Sequence, residues 1–303
     1  MNELEKTLKK IKDLKIQGAN AVALASLNYL RKIRNSAKNH YLNRFNKAVE
    51  LLIQSRPTEP LNRNFLKFIN RQVQLNKNQP PRRLQKIVQQ AVNYLLALNE
   101  KNQKLIVLNS QKIFRNKQKI FTHCHSSLVE KILIKAKNKK IEVFNTETRP
   151  LFQGRIMANN LVKAGLPVTM VADSAASFLI SSSSGKEIMM AAAILGADAI
   201  LPDGSIINKI GSYGIGLSCF QARTPLYIAC SLLKYDVNGL IAIEIRRNAE
   251  IWPNKPKGLK IINFAFDKIP AKFITGIITE FGILKPFRIK KTVKKHYSWL
   301  YQI

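Results

Sequence analysis

Of the thirteen glycines in this 303-residue chain, only Gly18 lies before residue 103. Glycine marks turns and close backbone approaches, so the two regions must be built differently. The first region carries apolar residues at helical spacing: Leu4, Leu8, Ile11 and Leu14, then Leu24, Leu27 and Leu30, then Val88, Val92 and Leu95. Pro57, Pro60, Pro80 and Pro81 punctuate it and should separate helices. The expectation is a helical N-terminal domain over residues 1–102.

Beyond residue 103 short apolar runs alternate with helical patterns. Lys119–Thr122, Ile141–Phe144, Pro167–Val171, Ala191–Ala197 and Leu226–Ala229 read as strands, with helical stretches at 128–136 and 154–164. Strands alternating with helices predict an α/β domain over 103–303, a Rossmann-like parallel sheet with helices on both faces. Such sheets bind ligands at the carboxyl ends of their strands, so the loops after these runs hold the candidate chemistry.

Polar residues recur in those loops. Cys124 follows the first run, between His123 and His125. Ser127 and Glu130 have capping-box spacing, so a helix is expected to start at Ser127. A cysteine near a helix N-terminus can be a depressed-pKa thiolate, and the same amides can hold a phosphate; the other reading is a buried structural cysteine. Asp198 follows the run ending in Leu195 and reads either as a desolvated general acid or as a turn residue. Asn208 and Lys209 add a donor and a cation, and Lys234 adds another. Glu147 and Arg149 form an opposite-charge pair in one loop, and Arg149 is expected to organise the site, the other reading being that it binds substrate. In the helical region Gly18 suggests a close backbone approach, and Arg56 sits alone in a turn.

The formal charge is +32, with 19 basic and 6 acidic residues already in the first hundred. The excess is spread along the chain, whereas nucleic-acid proteins more often gather it in an arm or stripe. It reads as a compositional bias toward Lys, Asn and Ile or as attraction for polyanions and phosphorylated metabolites. Three cysteines without CxxC spacing indicate neither a disulfide framework nor a zinc ribbon, and no metal site is expected. No stretch of about 18 uncharged apolar residues and no apolar leader is present, so a cytoplasmic protein with no membrane role is expected.

The motifs THCHSS (122–127), TETRPLFQG (146–154), GLPVTMVADSA (165–175), GADAI (196–200) and GSIINKIGS (204–212) together resemble the isomerase family related to eukaryotic initiation factor 2B. The stretches at 11–19 and 263–283 fit as well, so the resemblance covers essentially the whole chain in order. The family contains isomerases of sugar 1-phosphates and non-catalytic regulatory subunits involved in translation initiation. Its isomerases carry the Cys and Asp found here at Cys124 and Asp198. The resemblance therefore implies an aldose–ketose isomerase, nearest the archaeal branch that makes ribulose 1,5-bisphosphate from ribose 1,5-bisphosphate in AMP salvage.

Carried over residue by residue, it makes Cys124 the proton-transfer group and Asp198 the general acid. It places substrate contacts at Gln17, Gly18, Ala19, Asn20, Arg56, Ser126, Ser127, Asn208, Lys209 and Lys234. It implies no cofactor, a phosphorylated pentose substrate and a homo-oligomer, dimer or hexamer. Gln17 and Asn20 stand where the family usually has Arg and Gly, and Ser127 where a lysine is common. The segment 181–190 is longer than usual. These departures keep a regulatory subunit as the alternative; nonspecific RNA association through the charge ranks last.

Overall fold

The computed structural model describes residues 2–33, 38–181, 185, 188–239 and 242–302. Residues 182–184 and 186–187 of the long segment noted above lie outside the described residues. The chain divides into two compact units. One comprises Met1–Lys101, Leu233–Ala242 and Lys291–Ile303; the other comprises Asn102–Leu232 and Ile243–Lys290.

The first unit is helical, as the spacing predicts. It holds α1 (Glu3–Lys12), α2 (Ala19–Arg31), α3 (Lys38–Gln54) and α4 (Pro60–Leu75), and α5 (Pro81–Ser110) begins in it. Pro60 and Pro81 open their helices, where a missing N–H costs nothing. Ile11, Leu27, Leu30, Val88, Val92 and Leu95 are buried. Gly18 needs its freedom for a different reason from the one expected. No atom lies within 4 Å of a Cβ built there, but its φ is +85°, which side chains rarely adopt.

The second unit contains β1 (Lys119–Thr122), α6 (Ser127–Lys135), β2 (Glu142–Thr146), α7 (Gln153–Lys163), β3 (Val168–Val171), α8 (Ala176–Ile180) and β4 (Ala192–Leu195). These are followed by β5 (Ala199–Ile200), β6 (Ile206–Lys209), α9 (Ser212–Ala222), β7 (Leu226–Ala229), β8 (Ile245–Arg246) and β9 (Asn263–Phe264). Next come β10 (Phe266–Ile269), β11 (Gly276–Thr279), β12 (Gly282–Leu284) and α10 (Ile289–His296), the last continuing past Lys290. The main sheet has the order β12-β11-β7-β4-β1-β2-β3, parallel except for the β11–β12 hairpin. A smaller antiparallel sheet, β10-β6-β5, lies outside it, together with a two-stranded β8–β9 pair.

Both faces of the main sheet are covered, as expected for parallel strands. Ala192, Ile194 and Ala229 pack in one cluster with Val129 and Ile132 of α6 and Met157 and Leu161 of α7. On the opposite face α9 approaches β7: a Cβ at Gly216 would lie 3.6 Å from Leu226. Every residue of β4 is buried, which explains its unbroken apolar run. Among the described residues no helix is long and apolar enough to cross a membrane.

Candidate active site

The strand order reverses direction at β1: β2 and β3 lie on one side, β4, β7 and β11 on the other. Open α/β sheets bind ligands at such a reversal, outside the carboxyl ends of the strands, which is where the loops leaving β1 and β4 lie. Ile120 and Phe121 are in register with Ala192 and Ala193, and the Thr122 hydroxyl donates to the Ile194 carbonyl at 2.8 Å. The two strand ends are level. Cys124 sits two residues past β1 and Asp198 three past β4. Gly196 is where the two loops touch: a Cβ there would lie 2.9 Å from the Ser126 side chain.

The helix after Cys124 starts at Ser127 as expected, but it is not capped by the box that the spacing suggests. Ser126, not Ser127, is the N-cap of α6, and its side chain accepts from the Val129 amide. Glu130 is drawn sideways instead of back. Its carboxylate pairs with His125 Nε2 at 2.9 Å and accepts from Asn160 Nδ2 at 2.8 Å. Ser127 is the first helical residue and is exposed.

Cys124 adopts a left-handed backbone with φ +64°. Its residue is partly exposed, yet desolvation pushes its thiol up to about 11. Lys209 pulls it down; Asp198 and Asp173 push it up. The depressed thiolate expected from the helix N-terminus is thus not what the free site holds, because loss of solvent outweighs the nearby cation. Asp198 is half-buried, and its amide donates to the Ile207 carbonyl at 2.9 Å.

Lys209 ends β6, with Nζ 5.1 Å from the centre of the Phe266 ring. Asn208 is buried and donates to Ser212 Oγ at 2.9 Å. The turn after them is held by Asp267 of β10, whose Oδ2 accepts from the Gly211 and Tyr213 amides at 2.8 and 3.0 Å. Burial raises the Asp267 carboxyl to about 6, while those two hydrogen bonds oppose the shift. The turn also reaches His123, which lies 3.4 Å from a Cβ placed on Gly211.

The second unit thus brings together Cys124, Ser126, Asp198 and Lys209, with Asn208 next to Lys209. Gln17, Gly18, Ala19, Asn20, Arg56 and Lys234 belong to the helical unit. There Gly18 is the N-cap of α2, and no side chain caps that helix. Asn20 accepts from Asn99 Nδ2 at 2.7 Å. Arg56 is buried and pairs with Glu59 at 2.8 Å. The expected Glu147–Arg149 pair does not form. Glu147 binds Arg155 at 2.9 Å, and Arg149 donates to the Ile251 carbonyl and lies over the Phe152 ring.

Several supporting residues were not singled out from the sequence. Asp173 accepts from the Thr148 and Arg149 amides at 2.8 and 2.7 Å, and Thr146 and Thr148 are fully buried. Their loops stood out as polar, but no spacing signal identifies which side chain meets which. Asp267 had no signal at all, lying 56 residues from the turn it holds. Among the described residues no group of three or more His, Cys, Asp or Glu side chains could hold a metal ion.

The model of the initiation factor 2 subunit family matches residues 15–286. The chain is 34% identical to the ribose 1,5-bisphosphate isomerase of Methanocaldococcus jannaschii, over 99% of this chain and 97% of that protein. Its fold matches the Pyrococcus horikoshii translation initiation factor eIF-2B with a TM-score of 0.81, at 24% identity over 95% of this chain and 99% of that one. The 5-methylthioribose 1-phosphate isomerase of Pyrococcus horikoshii matches with a TM-score of 0.78, at 26% identity over 99% of this chain and 87% of that one.

Proposed function

The chain belongs to the initiation factor 2 subunit family, and from that premise we propose that it is a sugar-phosphate isomerase converting ribose 1,5-bisphosphate to ribulose 1,5-bisphosphate. The observation that carries the reading is the pairing of Cys124 and Asp198 on the loops leaving two adjacent parallel strands, in a chain 34% identical to a named isomerase of that substrate.

A phosphate on C1 locks the ribose ring, because C1 is an acetal. Opening requires a proton on the ring oxygen, and Asp198 supplies it. The C2 hydrogen then leaves to Cys124 as thiolate, and C1 and C2 join through a double bond. Cys124 returns a proton to C1, and the C2 hydroxyl gives its proton back to Asp198 as the ketone forms. Both groups end as they began. A thiol at about 11 is protonated at neutral pH, so the thiolate that this step needs is a minor species there. Lys209 is the cation that favours it.

Asn208, Lys209, Ser126 and Ser127 are proposed to hold the substrate through hydrogen bonds and charge. On the resemblance, Gln17, Gly18, Ala19, Asn20, Arg56 and Lys234 bind phosphate. The N-terminal amides of α2 suit an anion. A homo-oligomer and a place in AMP salvage follow from the same resemblance.

The test is phosphorus NMR of purified protein with ribose 1,5-bisphosphate, beside Cys124→Ser. Conversion by the parent and not the variant supports the reading. A folded parent that converts nothing, next to an active control enzyme, overturns it in favour of a regulatory subunit. Gln17, where the family usually has arginine, is the observation on that side.

A further inference from the structure

A hydrogen bond joins two residues that both hold left-handed backbone. The Cys124 amide donates to Thr148 Oγ1 at 3.0 Å, with φ +64° at Cys124 and +63° at Thr148. Left-handed backbone is strained for a residue with a Cβ, and more so for β-branched threonine. It persists only where surrounding bonds fix it. Asp173 fixes Thr148 by accepting from its amide at 2.8 Å. Thr148 Oγ1 then lies 3.2 Å from Thr146 Oγ1, which lies 2.6 Å from His123 Nδ1, and His123 Nε2 lies 2.9 Å from the Ile210 carbonyl.

This chain has one direction. A carbonyl can only accept, so His123 Nε2 carries hydrogen. Burial holds the His123 imidazole below its usual value, with Lys209 adding to the effect and Ile210 and Asp173 opposing it. The ring is therefore neutral, and Nδ1 accepts from the Thr146 hydroxyl. Thr146 Oγ1 in turn accepts from the Thr148 hydroxyl, and Thr148 Oγ1 is left to accept the Cys124 amide. His123, Thr146 and Thr148 are all buried, so no water competes for these bonds.

We propose that His123, Thr146 and Thr148 are positioning residues for Cys124, a one-way hydrogen-bond chain that holds its backbone left-handed and so aims the sulfur. The consequence for turnover rests on the reading that Cys124 moves the substrate proton; the consequence for the thiol does not. Losing the chain lets the backbone relax toward ordinary conformations, and a sulfur displaced by about 1 Å costs on the order of 100-fold in rate.

The experiment uses Thr148→Val, which keeps the shape and removes the hydroxyl, and Thr148→Ser, which keeps the hydroxyl. Two readings are taken on the full chain: kcat and KM with ribose 1,5-bisphosphate, and alkylation of Cys124 by iodoacetamide between pH 7 and 10, read by peptide mass spectrometry. Buried Cys219 and Cys230 serve as internal controls. In the parent, alkylation should climb about tenfold per pH unit throughout, as expected for a thiol near 11. In Thr148→Val, alkylation should level off within that range, and kcat should fall about 100-fold with KM nearly unchanged. Thr148→Ser should restore both.

A Thr148→Val protein with parental kcat and alkylation overturns the proposal, and so does Thr148→Ser as impaired as the valine variant. Should Thr148→Val not fold, His123→Gln carries the same readings, since its Nε2 can still donate to Ile210 while no acceptor stands at the Nδ1 position that faces Thr146. Parental behaviour there is equally fatal. A parent that does not turn over ribose 1,5-bisphosphate sinks the proposed function, while the alkylation profiles still decide the positioning role.

Discussion

The helical unit and the α/β unit both bury polar side chains, but to different ends. In the helical unit the buried polar bonds tie local turns and segment ends. Arg56 pairs with Glu59 three residues on, Asn62 donates to the Leu52 carbonyl, and Asn64 donates to the carbonyls of Leu233 and Tyr235. In the α/β unit, polar side chains at the ends of β1, β2 and β3 form one connected hydrogen-bond chain, whose Thr148 hydroxyl accepts the Cys124 amide. The first kind of polar burial holds helices in place. The second spends backbone strain on one reactive side chain, which is how functional sites differ from scaffold.

Four changes test that contrast, beginning with the largest effect. Cys124→Ser should lower turnover of ribose 1,5-bisphosphate by about a thousandfold or more, with thermal stability unchanged, because removing the activated group forfeits the step it performs. A large loss of Tm would instead mark Cys124 as scaffold. Glu59→Ala should show in stability, costing roughly 3 kcal/mol in a urea melt by leaving the Arg56 guanidinium buried without its carboxylate. A loss below about 1 kcal/mol would show the pair to be dispensable.

Asp267→Ala should be intermediate, at about 1–2 kcal/mol, since two amides lose their acceptor. Asp267 also sets a pH dependence. Its folded carboxyl titrates at about 6, above the ordinary carboxylate range, so the folded state holds the proton longer than the unfolded chain. Its contribution to stability is therefore full below about pH 4 and is lost as pH rises toward 6. In melts across pH 4–7 the parent should lose stability relative to Asp267→Asn as pH rises from about 4 to about 6, with a constant difference outside that window. The smallest effect is expected at Lys32→Ala, which breaks an exposed pair with Glu3 at 3.1 Å. Exposed pairs are worth about 0–1 kcal/mol, and a larger loss would mean that α1 is held mainly by charge.

Legibility in the sequence followed the range of the interaction. The strands Lys119–Thr122 and Leu226–Ala229 could be read to the residue, and the prolines at 57, 60, 80 and 81 could be read as breaks between helices, since apolar periodicity and proline geometry are local. The cap of α6 was misread by one position: Glu130 has the right spacing to cap Ser127, but His125 and Asn160 compete for its carboxylate. The Glu147–Arg149 pair failed for the same reason, with Arg155 nearer once α7 forms. Cys124 and Asp198 were found as single residues after strands. The side chains that support them were not, because Thr146, Thr148, Asp173 and Asp267 are ordinary polar residues until the fold brings a partner within reach.

What the sequence alone determined is where the strands ending at Thr122, Val171 and Ala229 stop, which polar residues follow the strands it found, and the motif set that marks the family. Only the tertiary structure decided that β1 and β4 are neighbours, since sheet order depends on how helices cover both faces and not on any local pattern. It also decided the state of the Cys124 thiol. A helix N-terminus and a lysine favour the thiolate, but desolvation is a property of everything packed around the sulfur, and here it outweighs them.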